Sequence, residues 1–311
     1  MYDNQLVTIQ NNPFKASFNY SPLDFHVVTD KIYTDKANNI PCLDKKAVIK
    51  LDEFNNPVDW WIVGKDYYVK SHKDFFNPIE QKILDTFKAD DVDNVIIKTK
   101  SARNGRWGLR DYVFPNIGVP IHTSSGHETT IQLRIVCWSG LDGSTANNYM
   151  LGAIDSFCTN GQVFTQAADK DEAITKLYKR NSKLFDMKQF AITLTNAAET
   201  FYAKAKEYQH MADTRLGFTQ GNTFIDNLKS LSDSKKKGLK ELLRFERVTR
   251  GANVFALHSA LTNYSSHKNV EHFQSRKSKH GDMEHKVMFD REEEVLNILE
   301  SKQWKELLVA A

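Results

Sequence analysis

The stretch at residues 131–165, IQLRIVCWSGLDGSTANNYMLGAIDSFCTNGQVFT, decides the fold. Ile131, Leu133, Ile135 and Cys137 fall on one face of an extended chain and Gln132, Arg134 and Val136 on the other, the period-2 pattern of a half-buried strand. Leu141-Asp142-Gly143-Ser144 then interrupts the run as a turn. A second strand-like run covers 149–158, and a third follows Asn160-Gly161. Asn-Gly suits a type I′ hairpin because both central residues need positive φ. That reading sets Phe157 opposite Phe164 and Thr159 opposite Gln162.

Upstream, 26–34 (HVVTDKIYT), 46–54 (KAVIKLDEF) and 58–70 (VDWWIVGKDYYVK) alternate β-like runs with Asn, Pro and Gly punctuation. The last reads as a hairpin, with Trp60-Trp61-Ile62-Val63 turning through Gly64-Lys65-Asp66 into Tyr67-Tyr68-Val69. Residues 71–88 change period: Phe75, Ile79, Ile83, Leu84 and Phe87 sit at helical spacing, with Asn77-Pro78 as a start signal. Residues 94–114 form a further candidate hairpin about Asn104-Gly105, and 115–128 a loop.

Downstream the β character ends. Phe190, Leu194, Ala197, Ala198, Phe201, Ala205 and Tyr208 make a 3.6-residue stripe that predicts one long helix within 167–211. Shorter helices follow at 223–231, 239–248 and 253–264, and a last one starts near Asp290. The expected class is α+β: a β-rich domain over 1–165, a curved, mainly antiparallel sheet with a crossing helix, and a helical region over 166–311 packed on it. A polar, Lys- and His-rich segment at 265–287 is expected to be a mobile loop.

Composition narrows the function classes. The 311 residues are 41% hydrophobic and 26% charged, ordinary values for a globular chain, so disorder is not the default. With 42 basic against 39 acidic side chains the formal charge is only +3, so a nucleic-acid footprint must be local. Three cysteines without paired spacing fit a reducing compartment. Residues 1–14 lack a basic and apolar leader pattern, and no run approaches the roughly 20 apolar residues of a membrane span. A cytoplasmic protein with no membrane contact is expected.

Four stretches, GKDYYVKSHKDFF (64–76), SGLDGSTA (139–146), AIDSFCTNGQVF (153–164) and FALHSALTNYSSH (255–267), occur in this order across most of the chain. On them the sequence resembles the phage/plasmid-like family called domain of unknown function 932. The resemblance implies a virus or mobile-element origin, an intracellular location in the host cell, and a curved sheet with crossing helices, similar in architecture to single-strand annealing proteins of phage recombination. It carries no activity over, since fold does not fix function.

Two basic constellations stand out. In a two-residue hairpin at Asn104-Gly105, Arg103 lies opposite Arg106, Thr99 opposite Arg110 and Lys98 opposite Asp111, so that Arg103, Arg106, Arg110 and Tyr112 share one face. Opposed like charges are unfavourable unless an anion lies between them, which a phosphate backbone would supply, with Trp107 and Tyr112 as stacking surfaces. Lys236, Lys240, Arg244 and Arg247 recur at i, i+4, i+8 and i+11 and line one helical face, as a groove for a polyanion or as a solvated surface. A third cluster, His267, Lys268, Arg276, Lys277, Lys279, His280 and Lys286, lies in the expected loop.

No catalytic residue, metal ligand or cofactor is assigned. The pairs His267/His272 and His280/His285 are five apart, off the i, i+4 spacing of helical ligand pairs. Cys158 reads as a small buried hydrophobe, and Asp142 and Asp155 as turn or cation-binding carboxylates. The expected function is single-stranded DNA binding, in strand annealing during recombination or replication, through Arg103, Arg106, Trp107, Arg110, Tyr112, Lys236, Lys240, Arg244 and Arg247. The alternative is a protein-interaction module, an oligomeric scaffold or an inhibitor of a host defence protein.

Overall fold

In a computed structural model the structure describes residues 13–18, 21–145, 147–156, 161–163, 187–267 and 284–309. The class is α+β, with strands in the first half and helices prevailing in the second. Among the described residues, strands β1 (His26–Asp35), β2 (Ile40–Leu51) and β3 (Pro57–Gly64) form one sheet in that order. Strands β4 (Ile96–Ala102), β5 (Trp107–His122), β6 (Glu128–Gly140), β7 (Asn148–Asp155) and β8 (Gly161–Val163) form a second, also in sequence order.

The chain divides into two compact units, and the division is not at residue 165. One unit holds 1–113, 135–150 and 174–195; the other holds 114–134, 151–173 and 196–311. A boundary at the end of the β-rich stretch fails because β5, β6 and β7 each run through both units.

In the first unit, the sheet β1–β2–β3 turns one face to a core of Val48, Trp61, Val63 and Leu141, with Phe25, Val27, Tyr67 and Val69 against it. Trp61 Nε1 donates to the Leu141 carbonyl (3.0 Å) and the Tyr67 hydroxyl to that of Gly140 (2.9 Å). These bonds explain why Tyr67–Val69 is not the expected return strand: β3 is paired with β2 instead, and the chain after Gly64 turns inward to place the Tyr67 ring. Helix α1 (Pro13–Phe18) and helix α2 (His72–Thr86) bring Phe14, Phe18, Phe75 and Phe76 into a second aromatic cluster. Helix α2 begins before the Asn-Pro signal, because Ser71 caps it by accepting from Asp74 N (3.0 Å), and Pro78 lies inside. A single turn, α3 (Ala89–Val92), precedes β4, and α4 (Met187–Thr195) closes the unit with Phe190 edge-on to Tyr149.

The β4–β5 hairpin keeps the predicted register, with Thr99 paired to Arg110 and Lys98 to Asp111. The connection is residues 103–106 and not two residues: Arg103 (φ 53°), Asn104 (φ 55°, ψ 31°) and Gly105 (φ +89°) are all left-handed, and Arg106 N donates to Arg103 O (3.1 Å). Its carbonyls are held from behind. Lys50 Nζ donates to Asn104 O (3.0 Å), His72 Nε2 to Gly105 O (2.6 Å), and Leu141 N to Arg106 O (2.7 Å). The second Asn-Gly behaves differently. Strands β7 and β8 pair Gly152 with Val163, Ala153 with Gln162 and Ile154 with Gly161, so Gly161 belongs to the ladder and Gln162 faces Ala153 in place of the expected Thr159. Phe157, Cys158, Thr159 and Phe164 lie outside the described residues.

In the second unit, the expected long helix is two. Helix α5 (Ala197–Asp213) starts after Asn196, where the helix ending α4 stops, and the unit boundary falls at the same place. Helices α6 (Phe218–Asp226), α7 (Asp233–Arg250), α8 (Val254–His267), α9 (Glu284–Glu300) and α10 (Lys302–Val309) follow. Their core includes Phe201, Tyr208, Leu239, Leu243, Phe255, Leu257, Leu261 and Trp304. Arg134, expected on the outward face of its strand, is buried with Glu292 of α9 at 3.4 Å.

Gly105 is a position where a side chain is excluded twice, by φ and by the ring of Phe25, whose Cε1 lies 2.7 Å from an added Cβ. Gly105→Ala should therefore destabilise the chain by about 1–3 kcal/mol, read as a lower urea midpoint at unchanged slope. Two buried histidines add a pH dependence. Burial holds His72 down to about 4 and His258 down to about 3, with Lys50 opposing protonation of the first and Arg250 that of the second. The unfolded chain protonates both near 6.5, so their stabilisation is complete above that pH and declines as pH falls through the window below it. Stability should drop below pH 6.5 by about 1.4 kcal/mol per pH unit for each of these protons. Urea titrations of the parent chain and His72→Gln between pH 7 and pH 5 check this, the variant having the shallower slope.

Candidate functional site

The hairpin arginines are grouped in sequence but separately neutralised in space. Arg103 Nη1 lies 3.0 Å from Asp142 Oδ2 and also meets the Ser144 hydroxyl, while Nη2 donates to Thr145 Oγ1 (3.1 Å). Asp142 itself accepts from Ser144 N (3.0 Å), so the Asp-Gly-Ser turn is built to hold the guanidinium. Arg106 forks onto Asp59 of β3, with Nη2 3.0 Å from both carboxylate oxygens, and its guanidinium lies 5.0 Å from the Trp61 ring. The opposed cations thus have carboxylate partners already.

Arg110, Tyr112 and Trp107 are interior residues, which corrects their reading as an accessible face. Arg110 Nε sits 2.7 Å from Glu80 Oε1 of α2, and Nη2 donates to Ser17 Oγ (2.6 Å) and to Phe14 O (3.2 Å). The Tyr112 hydroxyl donates to the same Glu80 oxygen (2.7 Å). Burial raises the Glu80 carboxyl above its usual range against the pull of Arg110, and drives Tyr112 far up. The physical reason for the correction is that β5 is buried on both faces from Trp107 to Phe114. A polar residue placed there needs an internal partner.

The second constellation does lie on one helix, α7, and most of it is committed to α6. Lys240 Nζ is 2.6 Å from Asp226 Oδ1, and Lys236 Nζ donates to Asp226 O (2.8 Å), so both cations cap the C-terminus of α6, where its dipole favours positive charge. Arg247 Nη1 donates to Leu216 O (2.8 Å), just before α6. Arg244 is exposed, and with Arg247 it flanks the Phe218 ring at 5.7 Å each. Next to it on α7 are Phe245, 65% exposed, and Val248. The third basic cluster falls almost wholly outside the described residues.

The carboxylates considered for cation chemistry are held by arginines. Asp142 pairs with Arg103, and Asp155 Oδ2 lies 2.7 Å from the fully buried Arg250, which also bonds Glu246 at 2.8 Å. Thr129 Oγ1 donates to Asp155 Oδ1 (2.5 Å).

A surface that motif reasoning missed lies on the first sheet. Rows of the register alternate between its faces: Thr29–Val48–Trp61 points to the core, and Val28–Ile49–Trp60 and Asp30–Ala47–Ile62 point away from it. On that outward face Trp60 is 63% exposed, Ile62 50% and Val28 44%. Val58, farther along β3, is exposed as well. The signal was present in VDWWIVG, which is apolar at both parities, the mark of a strand covered on two sides.

Removing one partner of the buried pair should cost far more than removing a surface one. Arg110→Ala is expected to lose about 3–5 kcal/mol, because it strands Glu80 in the interior. Arg106→Ala should lose only about 1 kcal/mol. Urea unfolding of both variants checks the ordering. Comparison of the chain with family models, curated proteins and solved structures found no match.

Proposed function

We propose that this chain is a binding protein that works through the outward face of β1–β2–β3, as a protein-interaction module rather than by catalysis. The observation that carries the reading is Trp60 and Ile62 standing open beside Val28 on a sheet whose other face is already filled. Exposed apolar residues scattered singly need no explanation, but a contiguous group on one sheet face marks an interaction site. The chemistry of the face favours protein over nucleic acid. Trp60 offers one ring for a base, while Val28, Ala47, Ile49 and Ile62 are aliphatic and provide no stacking platform.

Single-stranded nucleic acid is a second reading, now narrowed to α7. It is favoured by Arg244 and Arg247 around Phe218 with Phe245 exposed beside them, cations and rings together. Strand annealing, a mobile-element origin and the resemblance to domain of unknown function 932 belong with this reading.

Two assays separate them. A tagged chain and its Trp60→Glu variant are used as bait in nuclease-treated host lysate and against a second, differently tagged copy. The interaction reading expects a protein retained by the parent and lost by the variant; identical retention by both would sink it. A labelled oligonucleotide is titrated at two salt concentrations against the parent chain and an Arg244→Ala/Phe245→Ala variant. The nucleic-acid reading expects log K to fall with log salt by about 0.7 per phosphate contact, and the variant to bind about tenfold or more weakly. No binding at low salt, or an unaffected variant, removes it.

A further inference from the structure

We infer that the partner of the open face is a second copy of this chain, packed sheet against sheet about a two-fold axis. The inference rests on the interaction reading above and names its occupant.

Three observations point to the chain itself. The first is charge. On the outward face of the register the charged residues are one acid, Asp30 of β1, and one base, Lys45 of β2, while Lys46, Lys50 and Asp59 fall on the core-facing parity. A face with one charge of each sign is compatible with its own image and gives no net attraction for a polyanion or an anionic membrane. The second is extent. The outward face spans the full width of three strands, and the β1–β2 ribbon continues beyond the end of β3 with Tyr33, Ile40 and Leu43 exposed. An apolar group that reaches from Val28 on β1 across Ile49 to Val58, Trp60 and Ile62 on β3 has the character of an interface core. The third is pattern. A strand apolar at both parities, as in residues 57–64, is written for cover on both sides, and a two-fold contact lets each sheet supply the cover for the other with no second gene product.

The contact is isologous: Trp60 of one protomer, on an edge strand, reaches across to the face of its partner near Val28 and Ile49, and receives the same in return. An exposed aromatic with aliphatic neighbours has the composition of an interface hot spot.

Sedimentation velocity on the purified full chain over a range of concentrations tests the inference. The expected result is a monomer–dimer equilibrium that shifts at least tenfold toward monomer in Trp60→Glu and in the milder Val58→Lys, with far-UV circular dichroism unchanged. Val248→Glu, an equally exposed apolar position on α7, should leave the equilibrium where it was. A parent chain that is monomeric at every concentration overturns the inference, and so does a dimer indifferent to both sheet variants. If the purified chain is monomeric while Trp60-dependent capture from lysate persists, the interaction reading stands and the self-partner falls. Loss of folding in Trp60→Glu passes the decision to Val58→Lys.

Discussion

The first unit is organised by the ion pair between Arg110 and Glu80. A guanidinium with no exposed surface must have its charge and donors answered inside the protein, and the answers come from distant parts of the chain: Glu80 of α2, Ser17 and the Phe14 carbonyl of α1, and Thr99 of β4. Each is useful only if its element sits where it does. The pair contributes less by net attraction than by the penalty on every arrangement that leaves either charge alone. The hairpin that carries Arg110 is fixed in turn at its tip, where Lys50 and His72 donate to the turn carbonyls and Asp59 and Asp142 receive the two outer arginines.

Local signals of the sequence translate directly where a short-range rule governs the outcome. Asn104 and Gly105 have the positive φ that suits them, and the register of β4 and β5 is the one a turn centred on them sets, although Arg103 also turns left-handed and the connection is four residues. The α+β class and the helical stripe through Phe190, Phe201 and Tyr208 follow from periodicity in the same way. The Asn160-Gly161 pair carries the same local signal, yet the ladder of β7 and β8 ends with Ile154 opposite Gly161. A preferred turn is worth little against the pairing of a whole strand.

What the sequence could not disclose is which charges meet. Asp59 lies 47 positions from Arg106, Asp142 39 from Arg103 and Glu80 30 from Arg110, separations at which no spacing rule applies. A face of four basic and aromatic residues looked like a polyanion site because its counter-charges are supplied by tertiary structure. The same holds for α7. The i, i+4, i+8 stripe is real, but Asp226 and the Leu216 carbonyl turn three of its four cations into fasteners for α6. Cationic periodicity on a helix therefore reports an outward face and leaves open whether a neighbouring helix or a ligand takes the charge.

In the proposed self-association the edges and the face of the open sheet play different parts. Its two outer strands carry features that oppose edge pairing: β3 begins at Pro57, and β1 carries Lys31 and Asp35. Proline and charge on edge strands oppose continuation of the ladder into another molecule, the route to open-ended fibres. On the face of the same sheet a single acid, Asp30, stands beside Val28, Ile49, Trp60 and Ile62. Blocking the edges while leaving the face apolar selects sheet-on-sheet packing, in which a two-fold contact consumes the exposed surface of both partners and stops.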